Sequence, residues 1–404
     1  MSSSLQRIGL ALLVLLPIAF GLVGASLAYF VSVLITGQLL ANLLTALAAF
    51  LASCYLILNI FAGTLAPRHP RLFAGGISLL AAIILSGTFA YPQLSYSLRR
   101  GSDSLSPMVV TALQSNAIPL NSIQAGSGFA DLEPLKNILA GKRIVALGEA
   151  THGTHEFFQM KGRMLEFLVR EMGYQNFGME ISAESAQVIN RYITSGEGDP
   201  AKALSWPWAT HEFLETIEWM RAYNANPASP FQLTFYGIDP GIGDRDRIMA
   251  ENVARILEKT GPEGKMVIWA HNNHVSNQRG WLGNYLKRRY GDEVYLAGFE
   301  FDHGSFTSRM AAVHTYTVGP ATPDYYAYTL SKVGEPQVYF DFRSLDRVSA
   351  LSEWLAEPQL SHNIAELYAI SRLNPAWVTD STSWSSLYDG LIFIEVSTPA
   401  QSLQ

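Results

Sequence analysis

The sequence predicts an α/β domain, a mostly parallel sheet with helices on both faces, preceded by three transmembrane helices. Three observations lead there. The N-terminal third is almost without charge, short β-rich runs alternate with helical periods from Asp131 onward, and polar residues gather just behind the predicted strands.

Only 15% of the 404 residues are charged, against roughly 25% in an ordinary soluble protein. The shortfall is local. No Asp or Glu precedes Asp103, and before Pro92 only Arg7, Arg68 and Arg71 are basic. The apolar stretches 8–36, 39–66 and 72–91 each hold at least 20 residues without a charge, enough to span a ~30 Å hydrocarbon core. The first is too long for a cleaved signal core of roughly 7–15 residues. Gly37-Gln38 joins the first two as a tight hairpin. Arg7, Arg68 and Arg71 fall on one side and Arg99 and Arg100 on the other, which predicts a cytoplasmic N-terminus and an extracytoplasmic C-terminal domain in a multi-pass membrane protein. With no Asp, Glu or Lys in the spans, residues 8–91 read as a lipid anchor rather than an ion path.

The predicted organisation is a three-helix anchor over 1–91, a linker over 92–130 and a catalytic domain over 131–404. The linker is rich in Ser, Asn, Gly and Pro and carries one short helix near 107–113. Predicted strands cover 143–148, 176–180, 233–239, 266–270, 294–298, 337–341 and 391–396. Predicted helices cover 156–172, 185–193, 212–224, 244–259 and 281–289. From Asp131 on, 33 acidic residues face 23 basic ones, so no cationic surplus exists to bind nucleic acid. The single cysteine, Cys54, lies in an apolar run, so the later region has no thiol nucleophile, disulfide or thiolate metal site.

The polar residues behind the strands carry the chemistry. Glu149 and His152 follow the first predicted strand, Glu180 ends the second, Asp239 ends the third, and His271 and His274 follow the fourth. In parallel sheets, sites form beyond the carboxyl ends of the strands. Each residue also has a plainer reading. Asp239 can begin a turn before Pro240, and Glu180 can cap the next helix through Ser182. His155 and His211 read as exposed helix-start residues. Trp206 and Trp208 either wall a substrate pocket or fill core. A His beside carboxylates, with no Gly-x-Ser-x-Gly elbow, suits general-base activation of water. The spacing of His152, His271, His274 and a carboxylate equally fits a divalent-metal site.

Leu147-Gly148-Glu149-Ala150-Thr151-His152-Gly153-Thr154-His155-Glu156-Phe157 resembles the opening signature of the erythromycin esterase family. Arg245-Asp246-Arg247-Ile248-Met249 resembles its Arg-Asp-x-x-Met helix, and Ala270-His271-Asn272-Asn273-His274 its Ala-His-Asn-x-His segment. Gly298-Phe299-Glu300-Phe301, Gly304-Ser305-Phe306 and Tyr388-Asp389-Gly390-Leu391-Ile392-Phe393 follow in the same order. The resemblance runs from about residue 132 to 403. It implies hydrolysis of a small-molecule carboxylic ester or lactone by a His-activated water without a cofactor, and a link to antibiotic response. His152 would be the base, with Glu149 and Glu180 orienting it or the water. Lys161 stands where the esterases place an Arg. His271, His274 and Arg245 would complete the pocket and hold the developing oxyanion. The macrolide esterases insert a long helical segment before the Arg-Asp-x-x-Met helix, where this chain has only the five residues 240–244. A haem- or metal-binding module, or a metal-dependent amide or peptide hydrolase, would use the same strand ends.

Overall fold

The computed structural model describes residues 106–309, 312–346, 349–364 and 379–403. The apolar stretches 8–36, 39–66 and 72–91 lie outside the described residues, and no described helix is long and apolar enough to cross a membrane.

The strands are β1 Ile118–Pro119, β2 Ile144–Leu147, β3 Asn176–Met179, β4 Thr234–Gly237, β5 Met266–Trp269, β6 Val294–Arg309, β7 Val313–Val318, β8 Gln337–Asp341, β9 Gln359–His362, β10 Thr379–Thr382 and β11 Gly390–Ser397. Nine share one sheet in the order β1-β8-β11-β6-β2-β5-β3-β4, with β7 pairing off β6, while β9 and β10 form a separate antiparallel ribbon. The six neighbours from β11 to β4 are parallel; β8 runs antiparallel to β11, and β1 antiparallel to β8. Every residue of β2 (Ile-Val-Ala-Leu) and β5 (Met-Val-Ile-Trp) is buried, which is why these strands read as unbroken apolar runs rather than alternating ones.

The helix His155–Met172 carries the chain from β2 to β3, and Ala183–Ser195 with His211–Ala225 carry it from β3 to β4. Arg245–Thr260 returns it to β5, and Leu282–Tyr290 leads on to β6. The local sequence sets the ends. Gly173 takes a left-handed φ of 74° to stop the first helix, while Ser182 and Thr210 cap the next two by accepting from Ser185 and Phe213 N–H. Right-handed crossovers place the helices after β2 and β3 on one face and those after β4 and β5 on the other. The packing agrees, with His155–Met172 against His211–Ala225 and Arg245–Thr260 against Leu282–Tyr290. The chain therefore leaves the neighbouring strands β2 and β5 towards opposite faces, and a crevice opens beyond their carboxyl ends.

The sheet differs from the sequence prediction at β1 and β7, which have no predicted counterpart, and in the length of β6. The stretch 92–130 is not a free spacer throughout. The helix Pro107–Asn116 buries Val109 and Leu113, β1 extends the sheet, and Asn121 N–H donates to Asp131 at 2.7 Å. Two apolar residues four apart are too few to stand out as a period. The strand predicted at 294–298 continues to Arg309, because its later charges are buried and paired instead of marking a turn.

Candidate active site

The turn 148–154, between β2 and the helix His155–Met172, is clasped from several directions. A Cβ on Gly148 would fall 2.2 Å from Asn272 Oδ1, and that amide is itself tied to β6, donating to Phe299 O at 2.8 Å and accepting from Phe299 N–H at 3.1 Å. A Cβ on Gly153 would lie 2.2 Å from the Thr307 carbonyl oxygen. Gly153 O accepts from Thr307 and Ala400 N–H, both at 3.0 Å, and Thr398 O accepts from His155 N–H at 2.9 Å. The two glycines of the motif are thus required by close approach rather than by turn conformation. Residues 398–403 run past the turn as a clasp, with Gln401 N–H on Glu212 at 2.9 Å.

Within the turn Glu149 is fully buried. Its Oε1 accepts from His152 Nδ1 at 2.7 Å, and its Oε2 from Lys161 Nζ at 2.6 Å and Trp269 Nε1 at 3.0 Å. Lys161 is also fully buried, lies 4.6 Å from the centre of the Trp269 ring and donates to Ala270 O. Burial pushes its ammonium down to about 8, against the opposing pull of Glu149. With Nδ1–H committed to Glu149, the lone pair of neutral His152 is on Nε2. The ring meets Trp206 and Trp208 edge-on, at 6.2 and 5.5 Å between centres, and His271 at 4.7 Å.

β5 supplies the other half. His271 Nδ1 accepts from Asn273 N–H at 3.3 Å, which assigns the proton of the neutral ring to Nε2. That Nε2 is buried without a partner. Burial, the largest cause, holds the imidazole well below its ordinary range, so it stays neutral near pH 7. His274 is the opposite case. Its Nδ1 lies 2.7 Å from Asp246 and its Nε2 3.2 Å from Glu180. Burial works against its charge, but Glu180 and Asp246 outweigh it and raise the ring to about 9, so it is an imidazolium. Glu180 Oε2 accepts from His271 N–H at 2.9 Å, and its Oε1 from Arg245 at 2.8 Å. Burial opposes its ionisation too, yet the charge and hydrogen bond of His274, with the charge of Arg245, hold it well below the carboxylate range.

The crevice therefore brings together Glu149, His152, Lys161, Glu180, Arg245, His271 and His274, with Asp239 behind them. Asp239 accepts from Gly241 N–H at 2.9 Å and grips Arg245 at 2.7 and 2.6 Å, so it makes the turn and steadies the guanidinium rather than facing open space. Arg245 and His274 likewise spend donors on carboxylates, whereas His271 Nε2 is a buried donor without a partner. Ser182 caps its helix without Glu180. Trp208 is both core and wall, buried against Phe158, Phe213 and Trp269 while facing His152. His155 is not an exposed helix-start residue: its Nδ1 is 2.6 Å from Glu212, chiefly through which its pKa is raised. His274 has committed both of its ring nitrogens, and among the described residues no group of three His, Cys, Asp or Glu is placed to hold an ion.

Asp246 and Trp269 carry no role in the sequence reading. Asp246 stands beside Arg245 at the start of its helix, and Trp269 precedes the His271 turn by two residues. Their adjacency to assigned residues was the available cue. A second buried pair joins Glu300 of β6 to His362 at the end of β9 at 2.8 Å; Glu300 stood in a quoted motif, while His362 had no cue.

Fold and site place the chain among doubly wound α/β proteins with a histidine–carboxylate crevice at a switch point. It belongs to the erythromycin esterase family, whose sequence model matches residues 169–244 and 240–397. The match begins after the turn that bears Glu149 and His152. The chain is similar to erythromycin esterase type II of Escherichia coli, 32% identical over 125 residues, or 30% of this chain and 29% of that protein. It is similar also to the putative hydrolase YbfO of Bacillus subtilis (strain 168), 30% identical over 128 residues, or 31% and 28% of the two chains. The matches thus span under a third of these curated relatives. Among solved structures, a succinoglycan biosynthesis protein superposes with a TM-score of 0.64 at 24% identity, covering 74% of this chain and all of that one. A mutant of the erythromycin esterase EreC in its open conformation gives 0.53 at 13% identity, covering 68% and 96%. These likenesses show a shared fold.

Proposed function

We propose that the protein is a hydrolase of the erythromycin esterase type that cleaves a carboxylic ester or lactone with water activated by His152. The observation that carries this is the pairing of tautomers in the crevice. His152, fixed by Glu149, offers a lone pair at Nε2, and His271, fixed by Asn273, offers a proton at Nε2, with the two rings 4.7 Å apart. One is a base and the other a donor for developing negative charge.

His152 Nε2 takes a proton from water as its oxygen bonds to the ester carbon. The carbonyl oxygen, now an oxyanion, accepts from His271 Nε2–H. On collapse the carbon–alkoxy bond breaks, and the imidazolium returns its proton to the leaving oxygen, giving acid and alcohol. Glu149 stabilises the transient imidazolium, and Lys161 with Trp269 fixes the position of that buried carboxylate by donating to its other oxygen. Glu180, held by His274 and Arg245, fixes the backbone at His271.

The chain is a short form of the family. The turn 240–244 connects β4 directly to the next helix where the macrolide esterases insert a helical segment, and the two matched stretches of the family model meet at the same residues. The charge-free stretches within 8–91 anchor it in a membrane, with the catalytic domain on the extracytoplasmic side. The test is hydrolysis of p-nitrophenyl acetate and of one macrolide by the full chain beside His152→Ala. A loss of about 100-fold or more is expected. Full activity in a folded variant would remove His152 as the base.

A further inference from the structure

A second buried atom near the crevice has no partner: Asn363 Oδ1. Its residue follows β9, and that segment lies beside the catalytic turn. Ile364 N–H donates to Ala150 O at 2.7 Å, and Ile364 pairs with Thr151 in parallel. Asn363 Nδ2 donates to Asn273 Oδ1 at 2.5 Å, and Asn273 N–H in turn donates to His271 Nδ1. One short chain of hydrogen bonds thus fixes both loose ends. It leaves His271 with a bare donor and Asn363 with a bare acceptor. Folded proteins leave few buried polar atoms unpaired, because each such atom has given up water for nothing.

We infer that Asn363 is a specificity residue, and that the substrate is an ester carrying a hydroxyl group, of the acylated-sugar or hydroxy-acid kind. The ester carbonyl oxygen accepts from His271 Nε2–H while the substrate hydroxyl donates to Asn363 Oδ1. The acceptor is a neutral amide oxygen, which a hydroxyl satisfies without bringing a further charge into a crevice whose cations are already paired with carboxylates. A plain hydrocarbon ester would satisfy His271 and strand the amide oxygen, and a site built for a hydroxyl discriminates strongly against its absence. The inference rests on the hydrolase reading above.

The test uses the full chain and two substrate pairs that differ by one hydroxyl. p-Nitrophenyl butyrate against p-nitrophenyl 3-hydroxybutyrate probes the acyl side, and ethyl acetate against 2-hydroxyethyl acetate probes the alcohol side. In one pair kcat/KM of the hydroxylated ester should exceed its partner by about tenfold or more, beyond the ratio of their hydroxide-catalysed rates. Asn363→Ala should collapse that ratio, mainly through KM. A corrected ratio near one in both pairs, or a ratio that survives Asn363→Ala, overturns the inference and leaves the hydrolase standing. The wild-type ratio needs no variant, so it stays decisive if Asn363→Ala fails to fold. Absence of turnover of every ester by folded wild type overturns the hydrolase reading, and this one with it.

Discussion

Replacing His274 by Gln removes a proton from between two carboxylates. In the folded chain that proton is held to about pH 9, against an ordinary value of 6.5, because Glu180 and Asp246 outweigh the cost of burial. The folded state binds it more tightly than the unfolded state does. Its stabilisation is therefore complete below about pH 6.5 and is lost as pH rises through about 9. At about 1.4 kcal/mol per pH unit, raising the pH from 6.5 to 8 costs the wild type about 2 kcal/mol from this group alone. Lys161 works in the opposite sense, since burial lowers its proton affinity, but only above about pH 8. His155, raised chiefly by its hydrogen bond to Glu212, titrates alike in both proteins and cancels in the comparison. Urea denaturation of the full chain and of His274→Gln at pH 6.5 and pH 8 measures the difference. The wild type should lose about 2 kcal/mol more than the variant over that interval. Equal losses would refute the protonated His274 and, with it, the account of why Glu180 stays ionised.

Two further substitutions probe the catalytic turn. In Glu149→Gln the amide oxygen is claimed by Lys161 and Trp269, which leaves the NH2 facing His152 Nδ1. The imidazole proton is then driven to Nε2, the base becomes a donor, and kcat should fall by roughly 10³–10⁴ in a steady-state assay; a loss under tenfold would show that Glu149 does not set the tautomer. In Gly148→Ala the new methyl meets Asn272 Oδ1, and denaturation should show a loss of about 1–3 kcal/mol. An unchanged midpoint would mean that Asn272 yields without cost.

The parts of the fold legible in the sequence were those where burial is complete. β2, β3 and β5 are covered on both faces, so their apolar runs stood clear of the helical periods around them. β9 and β10 carry polar residues in a two-stranded ribbon and give no such contrast. The histidines and carboxylates were legible because the carboxyl ends of parallel strands converge, whatever the sequence distance between them. Lys161 was less so. It sits fully buried in a helix whose pattern gives no reason to bury an ammonium, and only its pairing with Glu149 explains it. Asn363 reaches the crevice from a segment that shares no period or motif with the residues it meets.

The clasp over the catalytic turn has a consequence in time. His152 and Glu149 emerge early from the ribosome, but Thr398, Ala400 and Gln401, which tie down the turn and the helix behind it, follow about 250 residues later. Contacts so distant along the chain close slowly and late in folding. A nascent chain of this protein thus carries His152 unclasped over about 250 further residues of synthesis, and the turn is tied down only once residues 398–401 have followed.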